Sequence, residues 1–168
     1  QSGGNYNVII GDEAGTSLTT GDDNVYIGYA AADSATTGSG NIAIGENALG
    51  SLTAGSNNTA IGRDAMGAHN VDSNSNVALG FSALKVNVAG CRNTALGVNA
   101  LADQNTSGTA TDTDNVAVGT SAGKSITSGI KNTIVGTLAG DALTDADNNV
   151  AVGRAALSSD TKGSTSVA

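Results

Sequence analysis

The chain repeats one short pattern at an almost constant spacing of 17 residues. Each copy begins with Asn, has Gly four residues later and Ala seven residues later. The nine starting residues are Asn7, Asn24, Asn41, Asn58, Asn76, Asn93, Asn115, Asn132 and Asn149. All intervals are 17 residues except one of 18 and one of 22. A unit this short holds one or two strands and a turn and cannot fold alone, so successive units must stack and share a core.

We call each unit a rung and number its positions from the Asn, which is position 0. The repeat predicts an all-β fold, a parallel β-solenoid or β-roll of about nine rungs with two short strands each. Residues 1–168 form one segment, which we interpret as a window of a longer repetitive shaft. The absence of Pro fits this fold, because every rung donates backbone N–H groups to its neighbour.

The strand after each Asn is apolar at three successive positions. Val, Ile or Thr stands at position 1 and Ile, Leu or Val at position 3, and we expect these two columns to point into the rung. Position 2 is then expected to face outward, although it is also apolar. A strand that is apolar on both faces is buried on both faces, which predicts that a partner chain covers this column. The expected contacts of a homotrimer are Ala43, Ala60, Ala78, Ala95, Ala117 and Ala151.

The same assignment predicts how substitutions act. Ile44→Asp should place a charge in a narrow core, whereas Glu46→Lys should change only a solvent-exposed residue. A slip of one residue in the strand would exchange the two faces.

Charge and chemistry exclude several classes of function. The net charge of −8, with seven Lys and Arg spread along the chain, argues against a nucleic-acid partner. No apolar run is long enough to cross a membrane. The single His69 lies in a polar turn and the single Cys91 precedes a turn, and no nucleophile or acid–base set surrounds either of them. We therefore expect a protein that is not an enzyme and that uses no cofactor.

Two polar patterns have alternative interpretations. The stacked asparagines favour a side-chain amide ladder over a ligand site, because Asn side chains pair from rung to rung. Acidic turns could in principle hold a structural calcium ion, which takes several oxygen ligands, but the glycine-rich calcium repeat is absent. The acidic residues in question are Asp22, Asp23, Asp112, Asp114, Asp145 and Asp147.

Two regions are candidates for contact with a receptor or partner. Tyr29 and Phe81 stand in a column of mixed residues at position 5, where exposed rings could stack on sugars. The 22-residue rung has five residues more than the usual rung, and these extra residues fall within the polar stretch from 103 to 114. We expect them to bulge outward as a dispensable loop. Its candidate contacts are Gln104, Asn105, Thr106 and Asp112.

The motif Asn-x-Ala-Ile-Gly-x-x-Ala, as in Asn41–Ala48 and Asn58–Ala65, resembles the head repeats of YadA-like trimeric autotransporter adhesins. The 17-residue form with Thr-x-Gly turns, as in Thr36–Gly38, is closer in style to repeats of phage tail-fibre and appendage proteins. The resemblance covers nearly the whole chain and implies a left-handed roll that assembles as a trimer.

The resemblance leaves two functions open. The first is a structural and adhesive shaft segment of a trimeric virion fibre that supports host attachment. The alternative is the head of a bacterial surface adhesin that binds host matrix or cells. The implied partners are two further copies of the chain, together with a host receptor or glycan or neighbouring virion proteins. The implied location is the virion or, for the alternative, the bacterial outer surface.

Overall fold

A computed structural model describes residues 4–68, 73–105 and 111–168, which form an all-β solenoid of stacked coils. Nine three-residue strands make one parallel sheet in the order β1-β2-β3-β4-β5-β7-β9-β10-β11. The strands are β1 Val8–Ile10, β2 Val25–Ile27, β3 Ile42–Ile44, β4 Thr59–Ile61, β5 Val77–Leu79, β7 Thr94–Leu96, β9 Val116–Val118, β10 Thr133–Val135 and β11 Val150–Val152. Two further strands, β6 Gly90–Cys91 and β8 Thr111–Asp112, pair in parallel outside this sheet. The predicted fold class is confirmed.

Every strand of the large sheet pairs with the next in perfect repeat register. Ala43, for example, lies beside Ala60, and Ala60 lies beside Ala78. The register holds even across the 18- and 22-residue rungs, where β4 pairs with β5 and β7 with β9. The extra residues therefore lie between the strands and leave the register of the sheet unchanged.

The assignment of the two strand faces was wrong. Position 2 points into the solenoid, where Ala43, Ala60, Ala78, Ala95, Ala117 and Ala151 are all fully buried within their own chain. Positions 1 and 3 point outward, and Ile44 is only partly buried. The six alanine side chains cannot contact a partner chain, and Ala43→Asp rather than Ile44→Asp is the substitution that would place a charge in the core.

The narrow coil explains why the small residue is inside. The opposite wall supplies Ala at position 7, usually a large side chain at position 8, and often Leu or Ile at position 11. Leu49, Leu52 and Ala48 provide this wall in the third rung and are fully buried. With that volume already filled, position 2 has room for Ala, and the larger Val and Ile side chains turn outward.

The expected second strand of each rung is instead a run of tight turns. Positions 6 and 8 have left-handed backbone, as in Asn47 with φ 56° and Leu49 with φ 54°. The rung-to-rung hydrogen bonds nevertheless continue through the turns, and the Leu49 N–H donates to the Ala65 carbonyl at 3.0 Å. The alternating left-handed residues bend the chain too sharply for a strand while keeping its amides paired.

Large and small residues alternate between the two walls of the core. Where position 2 is large, position 8 is small: Ile9 accompanies Gly15, Tyr26 accompanies Ala32, and Ile134 accompanies Gly140. A Cβ added to Gly140 would lie 3.1 Å from the Ile134 side chain. These three rungs therefore fill the narrow cross-section with a different division of volume from rungs such as the third, where Ala43 faces Leu49.

Candidate interaction surface

The outward face of the nine-stranded sheet is the most unusual surface of the molecule. We define this outward sheet face as the side chains at positions 1 and 3 of the nine rungs. None of these residues is charged, and all are Val, Ile, Leu or Thr. They are Val8, Ile10, Val25, Ile27, Ile42, Ile44, Thr59, Ile61, Val77, Leu79, Thr94, Leu96, Val116, Val118, Thr133, Val135, Val150 and Val152.

The large apolar side chains that the described residues expose all lie on one side of the solenoid. They occupy positions −1, 1, 3 and 5, and the turns on the far side contribute none. Examples are Ile10 at 58% exposed, Leu79 at 46% and Phe81 at 39%. A contiguous apolar surface of this length is typical of a contact surface, because soluble monomers rarely leave one open.

A buried ladder of asparagines holds this face in register. The backbone N–H of each Asn donates to the side-chain oxygen of the preceding Asn, as from Asn58 to Asn41 at 2.9 Å. The amide nitrogen of Asn58 donates to the Ser73 carbonyl at 2.9 Å, closing the turn at the end of its own rung. The predicted amide ladder is confirmed, and the asparagines are therefore structural.

A second ladder, which sequence reasoning missed, runs two residues before most of the asparagines, from Asn5 to Cys91 and from Ile130 to Ser164. The backbone N–H at this position donates to the side chain at the same position of the next rung, as from Ser39 to the Ser56 hydroxyl at 3.1 Å. Cys91 occupies this column, and its Sγ lies 3.4 Å from the Asn74 nitrogen. The signal was a column of short side chains with an acceptor atom, namely Ser, Asn, Asp, Cys and Thr, which only Ile130 interrupts. Both ladders make the scaffold beneath the outward face rigid.

Glycine at position 4 sets the spacing at the end of each strand. Gly45 has φ 128°, a region essentially restricted to glycine, and a Cβ there would lie 2.8 Å from the carbonyl carbon of Gly62. The absence of a side chain lets successive rungs approach to normal sheet distance at this corner.

The two predicted aromatic contacts lie beside the outward sheet face, at position 5. Tyr29 is exposed, and a hydrogen bond to Glu13, with the charge of that carboxylate, raises the pKa of the Tyr29 phenol. The Arg63 guanidinium lies over the Phe81 ring, 4.7 Å from its centroid. The two rings stand three rungs apart along the stack, so the structure does not bring them together in one site.

The long sixth rung is only partly the free loop that its sequence suggested. Gln104 is fully buried, Asn105 is exposed and its N–H donates to the Thr127 carbonyl at 2.9 Å. Thr106 lies outside the described residues. Asp112 belongs to β8 and forms an ion pair with Arg92 at 2.6 Å.

The C-terminal end of this polar stretch is also bonded to neighbouring rungs. Arg92 also pairs with Asp114 at 2.8 Å, and the buried Thr113 hydroxyl lies 2.8 Å from the Asn93 side-chain oxygen. Both ends of the stretch from 103 to 114 are therefore hydrogen-bonded into neighbouring rungs. Residues 106–110 lie outside the described residues, so the outward bulge of the extra residues stays a prediction.

Five of the six carboxylates considered for calcium have other partners in the described part of the chain. Asp22 and Asp147 accept backbone N–H groups from adjacent rungs, and Asp145 pairs with Thr144 and Lys162. Within residues 4–68, 73–105 and 111–168, no three His, Cys, Asp or Glu side chains are grouped to hold a metal, and no pocket is enclosed. His69 lies outside the described residues.

The described residues contain no helix that could cross a membrane. Comparison of the chain with protein-family models, with curated proteins and with solved structures finds no match.

Proposed function

We infer that this segment is a structural and adhesive part of a trimeric virion fibre, such as a phage tail fibre or appendage, that supports host attachment. The observation that carries the proposal is the uncharged outward sheet face, which runs along all nine strands of the stack. Such a stack supplies length and stiffness, and its single apolar side supplies a surface for other copies of the chain. The assignment to a virion rests on the repeat motif described above.

The size of the outward face supports its use in self-association. Nine rungs at ~4.8 Å make a face ~40 Å long, and a strand with one residue on either side is ~16 Å wide. The resulting area is on the order of 600 Å² per chain, which approaches the ~800 Å² that each partner buries in a stable complex. Three chains packed around these faces would cover the apolar surface and leave the charged turns in solvent.

The experiment compares the mass of the native segment with that of a variant carrying Ile44→Lys and Leu79→Lys. The native protein should have the mass of three chains in light scattering at micromolar concentration. The double variant should become monomeric while keeping its β-type circular dichroism, because both side chains are outside the chain's own core.

The matched control is Thr20→Lys with Thr37→Lys, which adds the same two charges to exposed turn positions on the far side of the solenoid. It should leave the three-chain mass unchanged. A native segment that is folded and monomeric would exclude the trimer. A control that dissociates equally would exclude the outward sheet face as its specific interface.

Location needs a separate test. An antibody raised against the segment should label the appendages of virus particles in electron micrographs of the source culture. Labelling of the bacterial surface instead would favour the adhesin head.

A further inference from the structure

Three threonines interrupt the otherwise aliphatic outward sheet face. All three stand at position 1, where Thr59, Thr94 and Thr133 alternate with Val77, Val116 and Val150 along the stack. Position 3 carries only Ile, Leu and Val in all nine rungs. The face therefore has side-chain polar atoms at every second rung of its C-terminal two thirds, and only in one column.

The hydroxyls of these threonines have no hydrogen-bond partner among the described residues. They differ in this from one column of turn threonines, which includes Thr36, whose hydroxyl donates to the Thr53 carbonyl at 2.9 Å. An exposed hydroxyl is satisfied by water, but one buried between chains needs a partner. On the outward face, the available side-chain partner is the threonine of another copy, because position 3 has no polar atom.

We propose that copies of this chain pack in parallel with their position 1 columns together, so that Thr59, Thr94 and Thr133 each form a hydrogen-bonded layer that fixes the axial register. This inference rests on the self-association proposed above. It adds that the position 1 columns of neighbouring copies are in contact and that the copies have no axial offset. A slip of one rung, ~4.8 Å, would place every threonine of one copy level with a valine or isoleucine of the next. A single polar position fixes the register of coiled coils in the same way.

The register can be read by disulfide formation between reporter cysteines. Val25→Cys and Ile42→Cys occupy position 1 of adjacent rungs and lie outside the threonine-bearing rungs. Both are made in a Cys91→Ser background, because Ser fills the same ladder position at Ser39 and Ser56. One full-length chain carries Val25→Cys, and a second chain with a different tag carries Ile42→Cys. The two chains are refolded together and oxidised. In-register packing gives 25–25 and 42–42 disulfides, and a one-rung slip gives 25–42.

With the three threonines present, we expect the 25–42 product to be less than about a tenth of the like-with-like products. Replacing Thr59, Thr94 and Thr133 together with Val should raise the 25–42 product at least fivefold, while the three-chain mass is retained. Val is nearly isosteric and favours strands, so the fold should survive. Replacement with Ser, which keeps the hydroxyl, should preserve the original pattern and is the matched control.

The outcomes separate the two proposals. A trimer whose disulfide pattern does not change in the Val variant would overturn the register role of the threonines and leave the trimer standing. A trimer that yields no like-with-like disulfide in the native threonine background, as antiparallel packing would produce, would overturn the arrangement proposed here. A monomer in light scattering would overturn both.

Discussion

At the scale of single residues, the position 4 glycines show how the repeat depends on backbone rather than on side chains. Their φ values near 130° are accessible to glycine and costly for any other residue, by about 1–3 kcal/mol. In all but the last rung, a side chain would also meet the backbone of the next rung. The unfavourable φ and the steric contact are two separate costs of a substitution, and at Gly153 only the first applies.

Gly45→Ala should destabilise the 168-residue chain more than Gly153→Ala. Both have nearly the same φ, 128° and 132°, but a Cβ on Gly45 would meet Gly62, whereas a Cβ on Gly153 would meet nothing within 4 Å. We expect a loss of more than about 3 kcal/mol for Gly45→Ala and about 1–3 kcal/mol for Gly153→Ala. Urea unfolding followed by circular dichroism measures both. Equal losses would show that the φ value alone matters.

Tyr26 is the largest residue of the inner strand column, and its hydroxyl makes no well-formed hydrogen bond. Burial raises the pKa of Tyr26 to about 12, a rise that the nearby Asn41 side chain only partly offsets. Because the unfolded chain loses this proton near pH 10, the folded chain should lose stability as the pH rises from 10 to about 12, by up to about 2–3 kcal/mol.

Tyr26→Phe should therefore stabilise the chain slightly at neutral pH and remove this alkaline loss. The measurement is the free energy of unfolding of both proteins at pH 9 and at pH 11.5. Tyr6→Phe, at a residue that is 86% exposed, is the control and should leave the free energy unchanged at pH 9. An identical alkaline loss in native chain and Tyr26→Phe would refute the role of this phenol.

At the scale of the rung, the sequence predicted the repeat length, the strand and the asparagine ladder, because each depends on a pattern that recurs nine times. It did not predict which strand face is inside. Alternation separates Ile42 and Ile44 from Ala43 but cannot orient them when all three are apolar. The answer depends on how much volume Leu49 and Leu52 bring from the opposite wall, which is a property of the closed coil. A second strand was wrongly predicted where the rung turns, because left-handed backbone at residues such as Leu49 has no signal in hydrophobic periodicity.

The division of core volume within a rung can be tested with a double-mutant cycle at Ala43 and Leu49. Ala43→Ile alone should overpack the third rung at a cost of about 1–3 kcal/mol, and Leu49→Gly alone should leave a cavity costing about 2–5 kcal/mol. Together they reproduce the pairing of Ile134 with Gly140. We expect the double variant to be at least about 1 kcal/mol more stable than the sum of the single effects predicts. Additive losses, measured by urea unfolding, would contradict the volume exchange.

At the scale of the whole molecule, each rung is bonded only to its two neighbours, so the stack has no element that depends on the total number of rungs. The 18- and 22-residue rungs already show that length changes lie between the strands while the sheet keeps its register. The stack does not tolerate a change that shifts a strand by one residue. Such a shift would move position 2 side chains, such as Ala43, to the outward sheet face and position 3 side chains, such as Ile44, into the core.

Deletion of residues 41–57 should therefore give a folded, shorter solenoid. The deletion places Asn58 17 residues after Asn24, so the asparagine ladder, the glycine corner and the sheet register all continue. Small-angle scattering should show a stack shorter by ~4.8 Å per chain, and thermal unfolding should remain cooperative with a modest loss of stability.

Deletion of residues 41–58, one residue more, removes Asn58 and forces the rung either to close its turn with too few residues or to shift its strand. That variant should lose far more stability, because in either case hydrogen bonds of the asparagine ladder are not formed in the middle of the stack. If both deletions melt alike, the register of the strands is not what holds the rungs together.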